Sequence, residues 1–116
     1  MRIRVATASP SSRSRRKTSA AARRTGAVVV LKGPTTIVAA PVRTIVHPRG
    51  NPWLSTAGTG DVLAGAIAAQ LAHAGTDPLA AASAGVWLHA QAARRLGASF
   101  IADDLANALT PVRAGA

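Results

Sequence analysis

Residues 50–65 read GNPWLSTAGTGDVLAG, which puts a glycine-flanked threonine, a lone carboxylate and the start of an apolar helix into one short stretch. Gly58, Thr59 and Gly60 can present successive backbone N–H groups at a helix N-terminus. Donors there lack helical acceptors, and together with the helix dipole they favour an anion such as a phosphate. Asp61 then stands beside the held anion. A carboxylate in that place repels the ligand, so it makes chemical sense if it takes a proton from a reacting hydroxyl. The plainer alternative is a first-turn carboxylate that complements the helix dipole.

Working outward, residues 27–33, AVVVLKG, are a short β-branched run that reads as a buried strand of an α/β sheet. Residues 36–40 and 43–47 read as two further short strands with Pro41 marking the turn, a hairpin-like unit after the first strand. The segment HPRGNPW, residues 47–53, holds two prolines and one glycine, and is expected to be an irregular loop that delivers the chain to the glycine turn. Residues 61–74 are expected to be helical, apolar on most faces and therefore buried. Asp77 suits an N-cap, Pro78 the first helical position, and Gly97 a stop after Arg94 and Arg95, whose charges complement the C-terminal dipole. A shorter helix is expected over residues 102–109, limited by Pro111.

The 116 residues allow one small domain; apolar residues make up 48% but aromatics only 3%, so the core must come from Ala, Val, Leu and Ile. The chain has no Cys, which excludes disulfides and thiolate metal sites and fits a reducing, cytoplasmic setting. No apolar run approaches the roughly 20 residues of a membrane span. Net charge is +10, and eight of the fourteen Lys and Arg residues lie at or before Arg24, ahead of all four acids. Residues 1–24 therefore read as a basic, disordered leader whose Ser, Arg and Pro content offers little to bury. A nucleic-acid arm, a polybasic membrane contact and a transit peptide are the functional readings of the same segment.

Spacing removes several familiar sites. Gly58, Gly60 and Gly65 miss the third position of the dinucleotide fingerprint, and no Walker loop is present. His47, His73 and His89 fall in separate elements, which argues against a zinc site. Ser55 and Ser83 have no recognisable elbow or partner, so serine hydrolysis is set aside. Trp87 and Leu88 are read as core, and Asn51 and Trp53 as residues that shape the loop.

LKGPTTIVAA, GNPWLSTAGTGDVLAG and ADDLANAL together resemble the C-terminal half of the ADP- or ATP-dependent NAD(P)H-hydrate dehydratases of the ribokinase-like superfamily. The resemblance runs from about residue 20 to the end, and residues 1–18 match nothing in it. It implies a partial ribokinase-like α/β fold, with short strands followed by a helical C-terminal half over residues 25–116. The implied reaction repairs hydrated NADH or NADPH by phosphorylating the ring hydroxyl and eliminating phosphate. On matching positions, it implies that Asp61 contacts the hydrate as base and that Gly60, in the turn with Gly58 and Thr59, contacts the nucleotide. Lys32, Gly33, Pro34, Thr35 and Thr36 would line the nucleotide site. Read without the resemblance, Lys32 is a surface cation and Thr35 and Thr36 favour strand and turn geometry. ADP or ATP is the implied co-substrate, and Mg²⁺ would arrive with it, because the sequence shows no dedicated carboxylate cluster.

A full domain of that family has more strands and helices upstream, so the chain reads as a truncated product or one with a misplaced start. Weak or absent turnover in isolation is the expectation, with an apolar strand edge left open. Family relatives are often oligomeric, which makes a homo-oligomer compatible with the resemblance. The alternatives are a ribokinase-like small-molecule kinase and a basic nucleic-acid-binding module, the latter weakened by the lack of aromatics among the cations.

Overall fold

Val28, Val29 and Val30 favour an extended backbone because their branched Cβ atoms restrict χ1, and they form the middle of the sheet. The computed structural model describes residues 2–7, 12–48, 51–55, 57–73 and 77–115. Among them the order is β1 (Ile3–Thr7), α1 (Ser12–Thr25), β2 (Val28–Lys32), β3 (Thr36–Ala39), β4 (Thr44–His47), α2 (Thr59–Leu71), α3 (Pro78–Leu96) and α4 (Ala102–Gly115). A 3-10 turn, Pro52–Ser55, precedes α2. It replaces part of the irregular loop expected over residues 47–53, while Arg49, Gly50, Thr56 and Ala74 lie outside the described residues.

The fold is mixed α/β, with strand order β1-β2-β3-β4. β1 pairs parallel to β2, with Val5 opposite Val30, and α1 makes the crossover between them. β3 and β4 follow as an antiparallel meander, with Val38 opposite Val30 on one side and Ile45 on the other. Alternation along the strands sends Val28, Val30 and Val38 into one core with Leu63 and Ile67 of α2 and Ala82 and Val86 of α3. Ile37 and Ala39, also buried, point to the opposite face, where α1 lies across β2 and β3.

The reading of residues 1–24 as a disordered leader is corrected. Ile3–Thr7 is a strand of the sheet and Ser12–Thr25 is a helix. Thr18 and Ala22, one helical turn apart, are the buried face of α1, while Arg15, Arg16, Lys17, Arg23 and Arg24 are exposed. Small side chains allow a close approach to the sheet without bulky hydrophobes, which is why composition concealed the helix.

Three other expectations change. α2 buries Thr59, Leu63, Ala66 and Ile67 but exposes Ala64, Gly65, Ala68 and Ala69, so only one of its faces is in the core. α4 runs through Pro111 to Gly115 instead of ending near Leu109. The proline deletes one helical hydrogen bond, to the carbonyl of exposed Asn107, while Val112, 2% exposed, packs with Leu105 and Phe100 in a second core. Trp87 is 44% exposed and not core, whereas its neighbour Leu88 is buried.

The punctuation of α3 is as expected: the Asp77 carboxylate accepts from Ala80 N at 3.1 Å, and Gly97 ends the helix at φ 76°. Gly85 on α3 is where α2 comes closest. A Cβ there would stand 2.6 Å from Ile67 Cγ1 and 2.9 Å from Ile67 Cα, so the crossing admits only glycine.

Candidate functional site

Gly58 is the N-cap of α2 in the left-handed region, φ 88°, and its carbonyl accepts from Val62 N. A Cβ at this position would come within 3.0 Å of Ala102 Cβ, so both the backbone angle and the space select glycine. Glycine brings no side chain to cap the helix. The amides of Gly60 and Asp61 belong to the first turn, where no i−4 helical acceptor exists. A Cβ on Gly60 would meet nothing within 4 Å, and Asp61 is exposed, so the turn is open to an incoming group.

Thr59 behaves differently from its neighbours. Its side chain is 1% exposed, and Oγ1 donates to the Leu54 carbonyl at 2.5 Å. The Lys32 ammonium, at the end of β2, donates to both Thr59 Oγ1 and the Leu54 carbonyl at 2.7 Å. Burial lowers the Lys32 pKa. Lys32 is thus neither a surface cation nor an isolated one: it ties the β2 end to the 3-10 turn and to the start of α2. That bond brings the KGPTT turn and the glycine turn together across 27 positions of sequence. Gly33, Thr35 and Thr36 are half-buried at the β2–β3 turn and Pro34 is exposed.

His89 was missed as a member of this neighbourhood. It is 3% exposed on the inner face of α3, and Nε2 lies 2.9 Å from the Thr59 carbonyl. Because a carbonyl only accepts, Nε2 must carry the proton. The signal available in sequence was a polar side chain among the buried positions 85, 86, 92 and 93 of α3, since buried polar groups need partners. Burial is the main cause that lowers the His89 pKa to about 4; the bond to Thr59 opposes the shift, and the charge of Lys32 adds to it.

This shift has a sign. The unfolded chain takes up the His89 proton near pH 6.5 and the folded chain only near 4, so stability falls as pH drops through that window and His89 adds no further loss below it. The loss is about 3 kcal/mol. Urea unfolding at a series of pH values should show this slope in the unmodified chain and a shallower one in His89→Gln.

Asn51 has the structural role expected of it. Its side-chain amide donates to the carbonyls of Ala93 and Gly97 at the end of α3, and its Oδ1 accepts from Trp53 N. Ser83, by contrast, does have a partner: its Oγ is 3.0 Å from His47 Nε2. Burial lowers the His47 pKa. The pair sits in a surface groove of about 490 Å³ between β4 and the start of α3, lined by Arg43, Ile45, His47, Asp77 and Trp87 among others. His47 stands opposite Thr36 in the β3–β4 register, so this groove opens one strand away from the KGPTT turn. A second groove, about 330 Å³, lies between α2 and α4. Neither groove includes Asp61. Among the described residues no group of three or more His, Cys, Asp or Glu is placed to hold a metal ion.

An open glycine turn at a helix start, an exposed carboxylate in that turn and a lysine braced behind it suit nucleotide-dependent chemistry on a small molecule. The chain belongs to the NAD(P)H-hydrate dehydratase family, whose model matches residues 3–112. The match therefore begins in β1, well before residue 20. It is 54% identical over 69 residues to the ADP-dependent (S)-NAD(P)H-hydrate dehydratase of Neisseria meningitidis, covering 59% of this chain and 23% of that protein. Over 90 residues it is 44% identical to the bifunctional NAD(P)H-hydrate repair enzyme Nnr of Moorella thermoacetica, covering 72% of this chain and 17% of that one. Among solved structures, the ADP/ATP-dependent NAD(P)H-hydrate dehydratase of Bacillus subtilis, co-crystallised with ATP/Mg²⁺ and soaked with CoA, superposes with a TM-score of 0.84 at 26% identity. That superposition covers 96% of this chain and 48% of the Bacillus chain. The chain thus spans less than half the length of these relatives. These matches do not favour the kinase or nucleic-acid readings. Among the described residues no helix is long and apolar enough to cross a membrane.

Proposed function

We propose that this chain takes part in nucleotide-dependent dehydration of hydrated NADH or NADPH, with the chemistry at the start of α2. The observation that carries the reading is the open first turn. Gly58 turns the chain in, the Gly60 and Asp61 amides have no helical acceptors, and the Asp61 carboxylate is exposed in the same turn. Family membership supplies the substrate class.

In this reading the terminal phosphates of ADP or ATP rest on the amides of Gly58, Thr59, Gly60 and Asp61. The buried Thr59 hydroxyl is already engaged by Leu54 and Lys32. Lys32 spends two of its three donors on Leu54 and Thr59 and offers its charge to the phosphates from behind the turn. Gly33, Pro34, Thr35 and Thr36 border the nucleotide, and the groove between β4 and α3 receives the base, with the exposed Trp87 ring as a stacking surface and Ile45 as an apolar wall. Mg²⁺ would be held by the nucleotide phosphates, with Asp61 the carboxylate nearest the turn, and it would neutralise charge on the transferring group.

Asp61 takes the proton of the ring hydroxyl as its oxygen attacks phosphorus. One P–O bond forms to the ring oxygen while the P–O bond to the nucleotide breaks. The C–O bond to the new phosphate then breaks, and a proton leaves the neighbouring ring carbon to restore the double bond. The nucleotide loses one phosphoryl group, and the released phosphate carries the hydrate oxygen away. Reduced nicotinamide cofactors are held inside the cell, and the cytoplasm is the compartment this reading assigns.

Incubating the chain with hydrated NADH and ADP or ATP, and following both NADH absorbance and free phosphate, tests the proposal. Slow, nucleotide-dependent recovery of NADH with matching phosphate release is expected. Phosphorylation of the hydrate without phosphate release would overturn it in favour of a kinase.

A further inference from the structure

We infer that His89 is a positioning residue for the anion-binding turn, holding the Thr59 carbonyl from the α3 side while Lys32 and Leu54 hold the Thr59 hydroxyl from the sheet side. The inference rests on the proposed role of that turn and deepens it. Thr59 lies between two glycines, the residues that restrict the backbone least, and the N-cap contributes no side-chain bond. A glycine-threonine-glycine turn would by itself sample many orientations of its amides. Within α2 the Gly58 carbonyl accepts from Val62 N, and further restraints reach the turn from outside the helix.

The structure supplies restraints from three elements. Lys32 reaches in from the end of β2, Leu54 presents its carbonyl from the 3-10 turn, and His89 donates from α3, thirty positions away in sequence. Thr59 is 1% and His89 3% exposed, so these bonds are shielded from competing water. The shared result is that the first turn of α2 is fixed before any ligand arrives. Preorganised amides spare the ordering cost on binding and face the phosphate without rearrangement. A histidine is a costly way to fill space among Ala, Val and Leu; what it adds over an apolar residue is the Nε2–H donor. The low basicity of His89 keeps that donor neutral at ordinary pH, so the turn is held by geometry and not by an added charge.

Two replacements separate the donor from the volume. Glutamine at this position keeps an N–H within reach of the Thr59 carbonyl, and leucine keeps bulk without a donor. Calorimetric titration with ADP should give a Kd for His89→Gln close to that of the unmodified chain and one about tenfold weaker for His89→Leu. Equal affinity in all three proteins would overturn the inference, whatever their Tm values. Nitrogen NMR of the imidazole provides the structural control: a neutral ring protonated at Nε2 is expected at pH 7, and a ring protonated at Nδ1 would equally overturn it. If the unmodified chain binds no ADP, the functional reading fails, and amide exchange then decides the inference alone. Exchange at Val62, whose amide is bonded to the Gly58 carbonyl, should be about tenfold faster in His89→Leu than in His89→Gln, with Ile67 unchanged; equal rates would reject the positioning role.

Discussion

Asp61→Asn is expected to reduce nucleotide-dependent recovery of NADH from its hydrate by about 10²-fold or more, the range typical for loss of a general base. ADP affinity should stay the same or tighten, because a negative charge beside the phosphates is removed. Stability should change little. Asp61 is exposed in the first turn of α2, where a carboxylate gains about 0.3–1 kcal/mol from the helix dipole. These outcomes divide the chemical role from the plainer one. A variant that loses only that small stability while turnover stays intact would mark Asp61 as a dipole-complementing side chain. Parallel measurement of steady-state rate, ADP titration and urea unfolding on one preparation would distinguish them.

The second large effect is structural and lies away from the turn. Gly85→Val should destabilise the fold by about 3 kcal/mol or more, because its first side-chain carbon already falls inside Ile67. The contact includes the Ile67 backbone, which cannot be relieved by a rotamer change. α2 and α3 must move apart, which opens the core shared by Leu63, Ile67, Ala82 and Val86. A fall in Tm of roughly 10–20 °C follows for a domain of this size. Function should suffer with stability, since His89 lies one helical turn beyond Gly85 and moves with it away from Thr59. An unchanged Tm would mean that the helices do not pack this closely.

What the sequence made legible is local. The β-branched run gave β2, the Pro and Gly punctuation gave the ends of α3, and the glycine-flanked threonine gave the start of α2. Each of these signals acts within a few residues of itself. β1 and α1 were not legible because their buried positions are few and small, while their exposed cations dominate the composition. α4 outran its proline because Val112 is anchored in a core that no local rule can see.

The same division runs through the site. The order Gly58, Thr59, Gly60, Asp61 is a sequence motif and was read as one. That Thr59 would turn inward while Asp61 faced solvent depends on Lys32, Leu54 and His89, which are contributed by three other elements. The pairing of His47 with Ser83, 36 positions apart, was invisible for the same reason. Trp87 sits among apolar residues, which in sequence marks it as core, yet it opens on the groove beside β4.

Amide NMR during titration of the chain with ADP tests most directly whether the glycine turn receives the nucleotide. The largest shifts are predicted at Gly58, Thr59, Gly60 and Asp61, with a second set at Gly33, Thr35 and Thr36. Shifts centred on Arg15, Arg16 and Lys17 of α1, with the glycine turn unmoved, would place the anion on the basic helix and contradict the account.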